Sequence, residues 1–300
     1  METYKVTNEN EFVQLMENTD EQLATEGIPI HARPFHAANR ISRRFGFGED
    51  LKLFVADRDP KAGVYVGDDL TIRINRWYKQ KYGDRLKIDP AKRVPIMIRQ
   101  DVYTLRIPML RGAIEVICDP DRFGTSSGFE FSTGGKPVTV NVLDQVEGLT
   151  EEYAKSLTYD EILAITDSFM RGLETTDAIY KASRQAPIGE AIGDLQASFT
   201  LLFSKPPQYG LSKWESLQAT EKFLKALITK KGGTYKFVHD LNGLADNAES
   251  LGHPAIPRSG LAKIQCPAGV RYGTPTVTMK EAVGAHQAAL EVCGLIAPSL

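Results

Sequence analysis

"KWESLQATEKFLKALITKKGGTYKFVHDLNGL", residues 213–244, reads as two helices joined by a glycine turn. Trp214, Leu217, Leu224 and Ile228 fall on one face and predict a helix over about 211–230, and Glu221 interrupts that apolar stripe. After Gly232-Gly233, "HDL" opens a second helix over about 239–251, with Leu241, Leu244, Ala248 and Leu251 inward and Gly252 at the left-handed capping position. A carboxylate inside an apolar stripe is costly unless paired. Glu221 is therefore expected either to meet a basic partner such as Arg271 across the fold or to mark a polar pocket.

Outward from this pair, Ile192, Leu195, Phe199 and Leu202 predict a helix over about 191–203. Thr278 and Glu281 form a capping box for a last helix over about 279–295 that buries Ala282, Ala285, Ala289 and Val292. Four amphipathic helices with short connections predict an antiparallel bundle. The segment "SRQAPIGEAIG", 183–193, carries the best boundary signal and divides the chain into residues 1–185 and 186–300.

The first part mixes periods. Helices are predicted over 8–24 and after Pro34, where Ala38, Ile41 and Phe45 form a stripe. Between 51 and 143 the alternation in "LTIRIN" (70–75), "VYTLRI" (102–107), "AIEVI" (113–117) and "PVTVNVL" (137–143) predicts strands of an antiparallel sheet. A helix follows, capped by Thr158 and Glu161 and buried through Ile162, Ile165, Phe169 and Leu173. The expected fold class is α+β: an N-terminal antiparallel-sheet domain with flanking helices, then a C-terminal antiparallel helical bundle.

The 300 residues are 42% apolar and 25% charged with a formal net charge of −2, which gives no global bias toward nucleic acid or anionic membrane. No basic leader with an apolar run opens the chain, and no stretch of about 18 apolar residues occurs, so a soluble cytoplasmic protein without membrane partners is expected. Cys118, Cys266 and Cys293 are odd in number and lack close spacing, and read as buried thiols rather than a disulfide or zinc framework.

Charge is segregated locally. Residues 70–112 carry eleven Lys and Arg against three Asp, whereas residues 113–180 carry four basic and thirteen acidic side chains. On strands, Arg73, Trp77, Arg99 and Arg106 would share a solvent-facing surface suited to single-stranded nucleic acid; the alternative is that the two segments neutralise each other across the fold. "GFEFSTGGKPV" fails the phosphate-loop template, because Glu130 stands where a glycine is needed and Pro137 follows Lys136, and a hairpin at Gly134-Gly135 is expected instead. The pairs Asp57/Asp59 and Asp119/Asp121 have a spacing that suits either Mg²⁺ or turn formation, and no cofactor or metal is assigned.

The order "IGDLQASFTLLF", "LQATEKFLKALITKKGG", "VHDLNGLADNAESLG" and "VRY" before an alanine-rich helix resembles the HEPN family (higher eukaryotes and prokaryotes nucleotide-binding) over roughly residues 190–297. The resemblance implies a compact bundle, frequent dimerisation, and roles in toxin–antitoxin systems, antiviral defence and RNA metabolism. Glu221, Lys225, His239, Asp240, Arg271 and Tyr272 occupy its polar positions. Ribonucleases of this family carry an arginine, then four to six residues, then a histidine, a pairing suited to proton transfer beside a phosphate. None of the five histidines here has one: Lys236 and Lys231 precede His239, and lysine lacks the planar guanidinium fork.

His239 is therefore expected to be an ordinary helix-start residue, and His286 a satisfied core or interface histidine. The expected function is non-catalytic binding of a nucleotide, nucleic acid or protein partner, with a homodimer formed through the helical part. An enzyme of phosphate chemistry, with a site shared between the two parts and using arginines near 33–44 and 73–111, is the first alternative. A dimeric protein-interaction adaptor is the second.

Overall fold

The computed structural model describes residues 6–45, 58–87, 91–124, 129–131, 137–184, 188–236 and 239–300. They belong to two compact units, residues 1–89 and 90–300. In the first, Asn8 accepts the Glu11 N–H and starts α1 (Glu9–Thr25), followed by α2 (Arg33–Phe45) and α3 (Gly67–Tyr82). Phe12, Met16, Leu23, Ile41, Leu70, Ile74 and Tyr78 build its core.

"LTIRIN" is thus helix, not strand. Leu70, Ile74 and Tyr78 stand four residues apart, and a six-residue window cannot separate that spacing from alternation. Asp68 and Asp69 in the first turn, with Lys79 and Lys81 in the last, complement the helix dipole. Among the described residues the first unit contains no strand, and every strand lies in the second.

The second unit opens with the antiparallel hairpin β1 (Lys92–Ile98) and β2 (Asp101–Ile107), turning at Arg99 with φ 56°. The remaining strands do not extend it as one antiparallel sheet. β3 (Met109–Arg111) pairs in parallel with β5 (Phe129–Phe131), and β4 (Ile114–Ile117) in parallel with β6 (Val138–Asn141). Parallel pairing needs a connection of a dozen or more residues, which residues 118–137 provide between β4 and β6. The expected Gly134-Gly135 turn lies outside the described residues.

After α4 (Glu151–Lys155), α5 (Tyr159–Ser183) starts with the predicted Thr158–Glu161 capping box. Its Ile165 and Phe169 join the core of Val94, Ile96, Leu105 and Val140, while Ile179 and Ala182 near its other end enter the core of the helices that follow. Those are α6 (Gly189–Leu202), α7 (Tyr209–Lys230), α8 (Leu241–Ser250), α9 (Arg258–Ile264) and α10 (Met279–Ile296), packed around Leu217, Phe223, Leu224, Leu244, Ala289 and Val292. The α+β class holds, and the four predicted helices lie within two residues of their expected ends. The compact units divide at 89/90, and within the second unit α5 contributes to both cores. Among the described residues no helix is long and apolar enough to cross a membrane.

Candidate functional site

Trp214, Gln218, Glu221 and Lys225 are spaced by four, three and four residues, and α7 therefore presents them along one face. Glu221 is 5% exposed and its carboxylate is fully engaged: Lys225 Nζ donates to Oε1 at 2.5 Å, and His239 Nδ1 donates to Oε2 at 2.8 Å. The expected partner Arg271 is not used; a lysine one turn away on the same helix and the histidine entering α8 reach the carboxylate instead. Lys225 also lies over the Tyr235 ring, 5.2 Å from its centroid.

The segment entering α8 is clamped from the end of α9. Gln265 donates from Nε2 to the His239 carbonyl at 2.7 Å and accepts the Leu241 N–H at 3.0 Å. Asp240 occupies the N-cap position without a side-chain capping bond, and His239 precedes the helix rather than belonging to it. Because an ionised carboxylate only accepts, its bond to Nδ1 fixes the proton there and leaves Nε2 as the imidazole's acceptor. The Gln218 amide nitrogen, 3.5 Å from the same Nδ1, then meets a donor and makes no useful bond. The His239 side chain is 54% exposed and stands edge-on to Trp214, with ring centroids 5.1 Å apart.

Arg271 covers the same indole. It comes from a 3₁₀ turn, Ala268–Tyr272, and its guanidinium lies 4.4 Å from the Trp214 ring centroid and 5.5 Å from that of Tyr272, which is 81% exposed. That turn presses on the start of α7: a Cβ at Gly210 would collide with the Val270 carbonyl oxygen, so glycine permits the approach that sets Arg271 on Trp214. Beside Trp214, Glu215 has its pKa raised by burial and by the nearby Asp194 charge. One surface thus gathers an oriented imidazole, a stacked guanidinium and an exposed phenol ring. All six polar positions expected from the resemblance lie on these neighbouring elements.

Residues 187–293 match the family model of the HEPN domain. The match covers about a third of the chain, from just before α6 into α10, and contains the whole of this site. No curated protein and no solved structure matches the chain.

The other candidate residues do not lie on strands of one sheet. Arg73 and Trp77 are on helix α3 of the first unit, and Arg99 and Arg106 are on the hairpin of the second. Arg73 bonds the Val64 and Lys61 carbonyls and Glu9 and covers the Tyr65 ring, while Lys81 covers Trp77. Arg99 pairs with Glu161 at 2.9 Å, and Arg93 and Arg106, opposite each other across β1 and β2, both face Glu147. In the second unit, Arg93, Arg99 and Arg106 of the basic stretch thus meet Glu147 and Glu161 of the acidic one, whereas Arg73 meets Glu9.

Asp59 pairs with Arg76 at 2.8 Å, Asp57 lies outside the described residues, and Asp119 caps a 3₁₀ turn by accepting the Asp121 N–H at 2.9 Å. Among the described residues no group of three or more His, Cys, Asp or Glu is placed to hold a metal ion. Trp214, Gln265 and Tyr235 were not expected at the site. The four-three-four spacing of Trp214, Gln218, Glu221 and Lys225 is the signal that marks the first of them; Gln265 and Tyr235 arrive by tertiary packing.

Proposed function

We propose that the HEPN domain binds a nucleotide-type ligand, a free nucleotide or a single strand of nucleic acid, on the face built by Trp214, His239, Arg271 and Tyr272. The observation that carries this reading is the exposed Tyr272 ring next to a guanidinium already stacked on Trp214. Aromatic rings with interleaved arginine suit stacked bases and their phosphates, and such stacking tolerates any base sequence. His239 Nε2 adds an acceptor when neutral and a second cation when protonated. Arg73, Arg99 and Arg106 are not part of the proposed site, since each is held by carboxylates of its own unit. The proposal includes a homodimer formed through the helical part; sedimentation of a strict monomer at about ten micromolar, where marginal interfaces begin to populate, contradicts that element.

Fluorescence anisotropy of a labelled single-stranded RNA measures the binding. The parent is expected to bind with clear salt dependence, and Arg271→Glu and Tyr272→Ala to weaken it about tenfold each, with the salt slope falling by roughly 0.7 for the lost phosphate contact in Arg271→Glu. No binding by the parent at low salt, or unchanged binding in both variants, overturns the reading. A second reading, hydrolysis of a phosphodiester, draws on one observation: Glu221 orients His239 with Nε2 free to take a proton. Cleavage by the parent that disappears in His239→Ala while binding persists establishes it. Intact RNA after long incubation with the parent leaves binding alone.

A further inference from the structure

A cavity of about 430 Å³ lies between β1, α5, α6 and α10, within the range of roughly 300–1,000 Å³ usual for small-molecule sites. It shares no lining residue with the Trp214–His239 face. Ile179, Leu195, Phe199 and Leu290 give it apolar walls, and the exposed Lys92 and Arg93 stand at its rim. His286, 1% exposed, forms part of the lining.

The hydrogen-bond network behind His286 fixes which nitrogen carries its proton. Ser198 Oγ has three partners: His286 Nδ1 at 2.9 Å, Ser216 Oγ at 2.8 Å and Ser212 Oγ at 3.2 Å. Ser216 gives its single proton to the Ser212 carbonyl at 3.1 Å, so its oxygen can only accept from Ser198. Ser198, having spent its proton, must accept from His286 Nδ1–H. The remaining nitrogen, Nε2, is a bare acceptor, and among the described residues nothing donates to it. Burial keeps the ring neutral by lowering its pKa to about 4. An acceptor that no protein group donates to is available to a ligand's N–H or O–H.

We propose that this cavity binds a small amphipathic carboxylate: an apolar ring system filling the walls, an N–H or O–H donating to His286 Nε2, and the carboxylate at the rim beside Lys92. Ligand-detected NMR titration of the full chain tests this with three probes of similar size. Indole-3-acetate has donor and charge, 1-naphthaleneacetate lacks the donor, and 3-methylindole lacks the charge. Indole-3-acetate is expected to saturate at roughly millimolar concentration, as its thirteen or so non-hydrogen atoms allow, with each of the others at least about fivefold weaker. Gln196→Trp, placed on the cavity wall, is expected to abolish binding. His286→Phe is expected to erase the preference for indole-3-acetate over 1-naphthaleneacetate. Failure of indole-3-acetate to saturate, equal affinity for the three probes, or unchanged binding in Gln196→Trp overturns the proposal. Should His286→Phe not fold, the probe series and Gln196→Trp decide the matter without it.

Discussion

Two histidines on one domain illustrate how surroundings set a residue's role. His239 is half exposed, bonded to a carboxylate and free at Nε2; His286 is buried, bonded to a serine and held neutral. With a folded pKa of about 4 against the usual 6.5, His286 binds its proton more readily when unfolded. Its contribution is complete above pH 6.5 and is lost as pH falls toward 4, by up to about 3 kcal/mol. Carboxylates lowered by ion pairs, such as Glu161 at about 2, lose their contribution mainly below about pH 5, in a more acidic window. Denaturant unfolding between pH 7 and 4.5 is expected to show declining stability in the parent and a flatter profile in His286→Gln; parallel profiles contradict the assignment. At the other site, Glu221→Ala removes the carboxylate that Lys225 and His239 share and should cost about 1–3 kcal/mol, discounted for the exposure of His239. The same variant should move the His239 proton from Nδ1 toward Nε2, read by ¹⁵N NMR of the ring, whereas a tautomer unchanged from the parent contradicts the pairing.

Elements were legible in the sequence where a long period and a cap coincide. α10 has its Thr278–Glu281 box and an alanine stripe, α5 its Thr158–Glu161 box, and α8 its Gly252 stop, and each appears close to where it was expected. α3 departs from the expected strand because six alternating residues fit both periods, and the parallel β3–β5 and β4–β6 pairs are not legible because alternation says nothing of strand direction. Of the site, Glu221 was visible as an intruder in an apolar stripe, but its partner was not. A charge inside a stripe states that a counter-charge is needed without saying which element supplies it. The contact between the Ala268–Tyr272 turn and α7 is likewise tertiary, and it rests on Gly210. Gly210→Ala places a methyl against a backbone carbonyl that no rotamer change relieves, so a loss of about 1–3 kcal/mol is expected together with displacement of Arg271 from the indole. Calorimetry and Trp214 fluorescence measure the two effects; parent-like values for both contradict the close approach.

On the scale of the whole molecule, the family match and the compact units do not share a boundary. The HEPN family match begins at 187, but Ile179 and Ala182 of α5 belong to the same hydrophobic core as the helices it covers, and the unit extends back to 90. A fragment of residues 90–300 is expected to melt cooperatively near the parent temperature of that unit, and one of 186–300 to remain helical but melt well below it. Equal melting temperatures by circular dichroism contradict a structural role for α5 in the bundle. The proposed binding face is built on α7 and the segment entering α8, and Trp214 is a native reporter there. The chain has two tryptophans, so in a Trp77→Phe background the emission comes from Trp214 alone. Titration of that variant with a single-stranded oligonucleotide is expected to give a saturable change in Trp214 emission, weakened by salt and lost on substitution of Arg271 with glutamate. Emission that stays constant at low salt, while the Arg271→Glu substitution alone shifts the unliganded spectrum, shows that the guanidinium stack is structural and contradicts nucleotide-type binding at this face.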